Sequence, residues 1–243
     1  MKYLQSALLA VQFLTQVPVK FSQYPNVKAQ GGSLIFYPLI GLIIGIMLSA
    51  VALMLQSAPL LLSAAILLTL WILITGALHI DGLADSCDAW IGGHGDKKRS
   101  LAIMKDPASG PIAVVMVVCT LLLKFTAIVA ILEQQLYWLL IVAPLMARSL
   151  LPLLLLLTPY VREKGIGAIM VANAPRNTVF ISSALGVTLA LLMGSTSALI
   201  IAVLALIGLR AVMIKRLDGL TGDTAGASLE ILEMLTIVVL VIG

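Results

Sequence analysis

The sequence predicts an all-α, polytopic integral membrane helix bundle with about seven transmembrane helices, or six, and an N-terminal amphipathic helix. Of the 243 residues, 61% are hydrophobic and only 11% are charged, whereas soluble domains average about 45–50% apolar and about 25% charged residues. In addition, residues 29–80 contain no Asp, Glu, Lys or Arg. These observations exclude a soluble globular protein, a disordered chain and a nucleic-acid-binding module. Residues 1–243 are predicted to form a single integral membrane domain.

The first predicted elements follow from the distribution of polar residues. Residues 3–19 are apolar but interrupted by Gln and Pro and lack a signal-peptide cleavage site, which favours an amphipathic helix on the cytoplasmic face. The uncharged stretch can hold two spans of ~20 residues each, predicted at roughly 33–55 and 59–80. The first of these contains Gly41 and Gly45, a spacing of small residues that allows close helix packing.

Further spans are predicted at about 107–131 and 136–158, and a last apolar segment ends at Gly243. The apolar stretch 178–209 is long enough for one long helix or two short ones. Charge decides between them, because cytoplasmic loops of membrane proteins carry an excess of Lys and Arg. Two helices place the following cations on one side: Lys2, Lys20, Lys28, Lys97, Lys98, Arg99, Lys105, Arg162, Lys164, Arg176, Arg210, Lys215 and Arg216. We therefore predict two helices there and a cytoplasmic location for these residues.

Three aspartates follow the second predicted span at a spacing typical of one helical face. Asp81, Asp85 and Asp88 stand at i, i+4 and i+7, which places them within an arc of roughly 60° if the segment is helical. Their charges repel each other unless a cation lies among them. Mg²⁺ takes oxygen ligands and is commonly completed by substrate phosphates. The spacing favours a divalent-metal site, and the alternative is a solvated helix end.

A second acidic cluster lies near the C-terminus. Asp223 and Glu230 are seven residues apart and therefore share a helical face. Glu230 and Glu233 enter an apolar helix, where a charge is costly and indicates function. The alternative is a set of interfacial charges at a frayed helix start. Because both acidic clusters lie on the predicted cytoplasmic side, we expect them to form one site.

Basic residues near these clusters are candidate phosphate ligands. Arg99 ends a basic run, and Lys105 precedes Asp106 at the predicted start of the third span, where Asp106 lies near the N-cap. Lys124 and Arg148 lie well inside apolar spans, where such residues usually face a polar interior.

Carboxylates for a metal and cations for a diphosphate indicate phosphoryl transfer. The chain contains neither a P-loop nor a nucleophile-elbow motif. His79 is a candidate base or ligand, although a lone His is more often a hydrogen-bonded structural residue.

Three ordered motifs resemble the cobalamin synthase family, the adenosylcobinamide-GDP ribazoletransferases. They are His79-x-Asp-Gly-Leu-Ala-Asp-x-x-Asp88, Ile103-Met-Lys-Asp106 and Thr221-Gly-Asp-Thr-x-Gly-Ala-x-x-Glu230. The resemblance covers nearly the whole chain, including Lys124, Arg148 and residues 12–15. Each motif alone is weak, whereas their combination is specific.

The resemblance implies a Mg²⁺-dependent transferase. In this reaction the 5′-hydroxyl of α-ribazole, or its 5′-phosphate analogue, joins adenosylcobinamide-GDP, GMP leaves, and adenosylcobalamin or its phosphate forms. We expect a multi-pass protein of the cell inner (cytoplasmic) membrane with its active site facing the cytoplasm. The expected partners are the small-molecule substrates, membrane lipid and other late enzymes of cobalamin biosynthesis, without nucleic acid.

The resemblance also suggests individual roles. Asp81, Asp85 and Asp88 are expected to bind Mg²⁺, with Asp223 completing the site, and these four residues and Glu230 form the predicted catalytic set. Asp223 or Glu230 is the candidate base for the ribose hydroxyl. The predicted substrate-binding residues are His79, Arg99, Lys105, Asp106, Lys124 and Arg148. Among them, Arg99, Lys105 and Arg148 are expected to hold the diphosphate.

Three alternatives remain at the level of sequence. The motif around Asp81 also resembles the CDP-alcohol phosphotransferases of lipid synthesis, but Asp85 follows Ala84 where those enzymes place an Arg. A cation transporter would place its acidic residues near mid-membrane, often within repeats, and no repeat is evident. A structural membrane protein without chemistry leaves the clustered carboxylates unexplained.

Overall fold

The computed structural model describes residues 2–161 and 165–243, with no account of the Lys2 side chain, and these residues form helices joined by short loops. Arg162 and Lys164, assigned above to the cytoplasmic side, lie outside the described residues. The predicted all-α class is confirmed. The helices are α1 Lys2–Leu14, α2 Val27–Gly32, α3 Tyr37–Met54, α4 Leu60–Thr75, α5 Leu78–Gly92, α6 Lys97–Ile103, α7 Pro111–Glu133, α8 Leu139–Leu157, α9 Ile166–Ala172, α10 Arg176–Met193, α11 Thr196–Leu217 and α12 Gly222–Ile242, with a 3₁₀ turn at Ser33–Phe36 before α3.

Six helical segments in the described chain are long and apolar enough to cross a membrane, and a bent pair, α4 with α5, brings the number to seven if it counts as one span. These numbers agree with the prediction of seven crossings or six. The stretch 178–209 is divided between two helices, α10 and α11, as predicted. The break follows Gly194, and the Ser195 side chain accepts a hydrogen bond from the Ala198 amide at the start of α11.

The second predicted span, 59–80, is not continuous. α4 ends at Thr75, and Gly76 and Ala77 both adopt left-handed backbone conformations, with φ of 64° and 56°. α5 therefore leaves α4 at 87°. The hydrophobic pattern could not show this turn because residues 69–80 are apolar on both sides of it. As a result, the helix that carries the aspartates has its own direction and packs against α12 and α7.

α8 lies at the centre of the bundle and packs against α3, α10 and α12. The small-residue spacing in α3 has a direct structural reason. A Cβ at Gly41 would come within 2.4 Å of the Pro144 carbonyl oxygen, and one at Gly45 within 2.5 Å of the Ile141 Cα. The predicted packing role of both glycines is thereby confirmed.

The start of the third span was predicted wrongly. α7 begins at Pro111 with Gly110 as its N-cap, and Asp106 accepts a hydrogen bond from the Ala108 amide in the preceding loop. A proline is favoured in the first turn of a helix, so Pro107 and Pro111 were both possible starts. In the structure the loop continues to Pro111. The sequence predicted a charged loop over 81–106, but this segment contains most of α5 and all of α6.

Several arginines on the side rich in basic residues close helix ends. Arg176 donates to the Leu156 carbonyl at 2.7 Å, and Arg210 donates to the Leu157 carbonyl at 2.9 and 3.0 Å. These carbonyls end α8 and have no partner within the helix. The arginines therefore contribute to helix termination as well as to the charge asymmetry of the loops.

Candidate active site

The three aspartates of the first motif lie on one helix, as predicted. α5 spans Leu78–Gly92, so Asp81, Asp85 and Asp88 follow each other along it at i, i+4 and i+7. Asp81 is exposed, and Asp85 and Asp88 are half-buried. Their surroundings differ, and this difference decides what each of them can do.

α5 crosses the start of α12 at very short range. A Cβ at Gly82 would lie 2.6 Å from the Asp223 carbonyl oxygen, and a Cβ at Gly226 would lie 3.2 Å from the His79 Cα. Only glycine permits the first of these approaches without a shift of the backbone. The glycines of the two acidic motifs thus bring His79 and Asp81 next to Asp223.

The start of α12 is fixed by local hydrogen bonds. Thr221 is the N-cap and forms a reciprocal capping box with Thr224. Just before it, Leu220 donates to the Pro159 carbonyl at 2.8 Å and accepts from the Val161 amide at 2.9 Å. This short bridge holds Asp223 in the first turn of α12 and brings Tyr160 beside it.

A cavity of about 470 Å³ opens at this crossing. His79, Asp81 and Asp223 are among its polar lining residues, and the apolar side chains of Leu151 and Met170 are part of its wall. His79 is buried, and its Nδ1 has no hydrogen-bond partner among the described residues. The cavity brings together groups from both predicted acidic motifs.

Asp88 is engaged elsewhere. Its carboxylate accepts hydrogen bonds from the Gly110 amide and, at 2.9 Å, from the Ala113 amide at the start of α7. It therefore supplies acceptors for amides that begin α7 and have no partner within that helix. The metal role predicted for Asp88 stays a prediction.

Across residues 2–161 and 165–243, no group of three or more His, Cys, Asp or Glu side chains is arranged to hold a metal ion. The predicted set of four aspartates is therefore not gathered into one cage. Mg²⁺, however, usually keeps several waters and binds through one or two carboxylates together with substrate phosphates. Asp81 and Asp223, which line one cavity, fit that requirement.

Lys124, Arg148 and Glu230 belong to a buried ion-pair cluster. The Lys124 amine lies 2.8 Å from a Glu230 carboxylate oxygen and 2.6 Å from a Glu233 oxygen, and Arg148 pairs with the other Glu233 oxygen. At most 3% of any of these side chains is exposed. Two cations and two carboxylates neutralise each other, as a buried position within apolar spans requires.

Trp71 completes this buried ion-pair cluster. Its indole nitrogen donates to Glu233 at 3.3 Å, and Lys124 lies 4.4 Å from the ring centroid. The cluster joins α4, α7, α8 and α12. The substrate-binding role predicted for Lys124 and Arg148 and the catalytic role predicted for Glu230 stay predictions, and none of the three residues lines the cavity.

The remaining predicted phosphate ligands lie on the surface near α6. Arg99 is exposed on this helix, and Lys105 and Asp106 are exposed in the loop that follows. α6 packs on α5, where the Ser100 hydroxyl donates to the Ala89 carbonyl at 3.2 Å. None of these three residues lines the cavity.

A family model described as cobalamin-5-phosphate synthase matches residues 6–241. The chain belongs to this family. The resemblance carried by the three motifs is therefore confirmed, and the match extends over nearly all the helices of the bundle.

Curated relatives agree with membership of the cobalamin-5-phosphate synthase family. The chain is 50% identical over 228 residues to an adenosylcobinamide-GDP ribazoletransferase of Pseudomonas fluorescens, covering 93% of this chain and 94% of the relative. Proteins of the same name from Stutzerimonas stutzeri and Pseudomonas aeruginosa are 49% and 46% identical, covering 95% and 98% of this chain and the same shares of the relatives. No solved structure matches the chain.

Proposed function

We propose that this chain is an adenosylcobinamide-GDP ribazoletransferase whose reaction takes place at the cavity between α5 and α12. The observation that carries the proposal is the position of Asp81 and Asp223. They come from the two acidic motifs, which are distant in sequence, and line the same cavity. Membership of the cobalamin-5-phosphate synthase family supports the choice of substrates.

The proposed reaction is a substitution at phosphorus. A ribose hydroxyl oxygen of α-ribazole, or of its 5′-phosphate, forms a bond to the phosphorus attached to cobinamide. The bond between this phosphorus and the oxygen that bridges to GMP breaks, and GMP leaves with that oxygen. The hydroxyl proton passes to a protein carboxylate.

The attacking oxygen differs from the one expected above. The family description names a cobalamin 5-phosphate, and in such a product the 5′-oxygen already carries a phosphate. The 5′-oxygen therefore cannot also form the new bond. We propose a secondary ribose hydroxyl as the nucleophile for both forms of the substrate.

Asp81 and Asp223 are the residues that would hold Mg²⁺, with Asp85 one turn along α5 from Asp81. When bound, the ion would neutralise charge on the diphosphate. We assign the base to Asp223 rather than Glu230, because Asp223 lines the cavity and Glu230 is buried against Lys124. Glycine contacts at the crossing of α5 and α12 bring the backbones that carry both carboxylates close together.

Arg99 and Lys105 are proposed to contact the diphosphate from the α6 segment. Both are exposed, and Met104, which precedes Lys105, lies 3.9 Å from the Thr221 hydroxyl at the start of α12. We further propose that the side of the bundle that carries Arg99 and Lys105 faces the cytoplasm and that the protein resides in the cell inner membrane, in contact with membrane lipid and with other late enzymes of the pathway. The excess of Lys and Arg on this side supports that orientation.

A product assay tests the proposal. Membranes that contain this chain are supplied with adenosylcobinamide-GDP, α-ribazole and Mg²⁺, and GMP and corrinoids are followed by chromatography with and without a chelator. We expect GMP and adenosylcobalamin in equal amounts, both abolished by the chelator. Product formation from CDP-alcohol and lipid substrates instead, or cation uptake by sealed vesicles without GMP release, would contradict the proposal.

A further inference from the structure

The cavity between α5 and α12 is divided in chemical character. Asp81 and Asp223 supply carboxylates to the lining, whereas Phe13, Leu151 and Met170 contribute apolar surface to the wall. Asp81 and Gly222 are exposed, as are the apolar lining residues Leu78 and Ile166, and Met170 is buried. A ligand that fits this lining has a polar part for the two carboxylates and a flat or compact apolar part for the wall.

The size of the cavity determines which of the two proposed substrates can fit inside it. Its volume of about 470 Å³ lies within the range of ~300–1,000 Å³ that is typical of small-molecule sites. A nucleoside made of a fused two-ring base and a ribose fits this space. A corrin macrocycle that carries a nucleotide tail does not.

We propose that this cavity is the binding site of the acceptor nucleoside and that the corrinoid stays outside it. This inference rests on the proposed function and identifies which substrate the cavity selects. The aromatic base lies against the apolar wall, and the ribose lies toward Asp81 and Asp223. A ribose in that position presents its hydroxyls where the diphosphate of the corrinoid can reach from the mouth.

His79 supports a polar ligand at this point. It lines the cavity, is only 8% exposed, and its Nδ1 nitrogen is buried without a partner among the described residues. A buried nitrogen without a hydrogen bond is costly. The His79 imidazole adds a polar group to a lining that also holds Asp81 and Asp223, which favours a ligand with polar groups over a lipid chain.

Ala225 offers a way to fill the cavity without touching the carboxylates. It lies in the first turns of α12, is buried and lines the wall. Ala225→Leu adds three carbon atoms to that wall, and we expect it to weaken nucleoside binding by ~10-fold or more. Ala211→Leu, at an exposed position of α11, is the matched control and should leave the affinity unchanged.

The measurement is equilibrium binding of radiolabelled α-ribazole, and separately of adenosylcobinamide-GDP, to the purified protein in lipid nanodiscs. We expect Ala225→Leu to lose affinity for α-ribazole and to keep its affinity for the corrinoid. Unchanged nucleoside affinity in that variant, a loss confined to the corrinoid, or no nucleoside binding by the unaltered protein would overturn the inference.

A second variant answers the question if Ala225→Leu fails to fold. Met170→Ala removes side-chain atoms from the apolar wall and so enlarges the cavity. The affinity for a riboside with one additional fused ring should then rise by ~10-fold relative to the affinity for α-ribazole. No change in this ratio would contradict the inference. Because binding is measured without turnover, a protein that binds α-ribazole but never releases GMP would retain the nucleoside site and refute only the proposed function.

Discussion

Gly82 of α5 lies directly against the backbone of Asp223, so closely that a Cβ at Gly82 would come within 2.6 Å of the Asp223 carbonyl oxygen. One turn along α12, Gly226 makes a similar contact with His79, at 3.2 Å from the added Cβ to the Cα. These contacts fix the distance between the two acidic motifs. The geometry of the candidate site therefore depends on backbone contacts as well as on its carboxylates.

Gly82→Val is expected to lower turnover strongly while the protein still inserts in the membrane. The side chain must push the start of α12 away, and displacing reacting groups by about 1 Å can reduce a rate by on the order of 100-fold. Steady-state GMP release by membranes with matched protein content measures this. Gly208→Val is the control, because a Cβ at Gly208 meets no atom within 4 Å. Equal rates for both variants would show that the α5–α12 contact does not position the site.

The buried ion-pair cluster is expected to stabilise the bundle. Glu233→Gln leaves Arg148 and part of the charge of Lys124 unpaired within apolar spans, and breaking a buried pair in this way typically costs about 3–5 kcal/mol. Unfolding of the detergent-solubilised protein by titration with sodium dodecyl sulfate measures the loss. Asp218→Asn, which breaks an exposed pair with Lys97, should change stability little. A Glu233 variant as stable as the Asp218 variant would contradict a structural role.

Much of the fold could be predicted from the sequence because the membrane imposes a simple pattern. The uncharged stretch 29–80 and the positions of Lys and Arg were enough to predict the approximate number of spans and the division of 178–209. The bend at Gly76 and Ala77 could not be predicted, since left-handed backbone there leaves no trace in hydrophobicity. The start of α7 was misplaced for a related reason, because Pro107 and Pro111 satisfy the same rule for a first helical turn.

The sequence predicted which types of residue form the site better than it predicted which of them lie together. The spacing of Asp81 and Asp88 predicted one helical face, but Asp88 contacts the start of α7, outside the cavity lining. As charged residues within apolar spans, Lys124 and Glu233 indicated a functional role in the sequence. Only the packing of α7 against α12 shows that the two side chains neutralise each other. Trp71 was missed because nothing in its neighbourhood of the sequence is charged.

Asp88 is expected to position α7 rather than to bind metal. Asp88→Ala removes the acceptors of the Gly110 and Ala113 amides and should cost about 1 kcal/mol of stability, as other lost helix caps do. Asp88→Asn keeps one carbonyl oxygen and should cost less. Electron paramagnetic resonance of Mn²⁺, a substitute for Mg²⁺ on oxygen ligands, should show unchanged affinity in Asp88→Asn. Loss of Mn²⁺ binding by that variant would assign Asp88 to the metal site.

The orientation of the bundle can be measured by cysteine labelling. In a background in which exposed Cys119 is replaced by Ser, Lys98→Cys and Gln134→Cys lie in segments at opposite ends of α7. We expect a membrane-impermeant maleimide to label position 134 in spheroplasts and position 98 only in inverted vesicles. Labelling of both positions from the same side would contradict the predicted topology.

The central claim is that Asp81 of α5 and Asp223 of α12 act together at one transfer site. GMP release from adenosylcobinamide-GDP in the presence of α-ribazole and Mg²⁺ should be measured for Asp81→Asn and Asp223→Asn, with Asp218→Asn as a nearby exposed control. We predict that each site variant loses turnover by on the order of 100-fold or more, as when a single group that stabilises transition-state charge is removed, and that the control retains it. Near-normal turnover by either site variant would contradict the account.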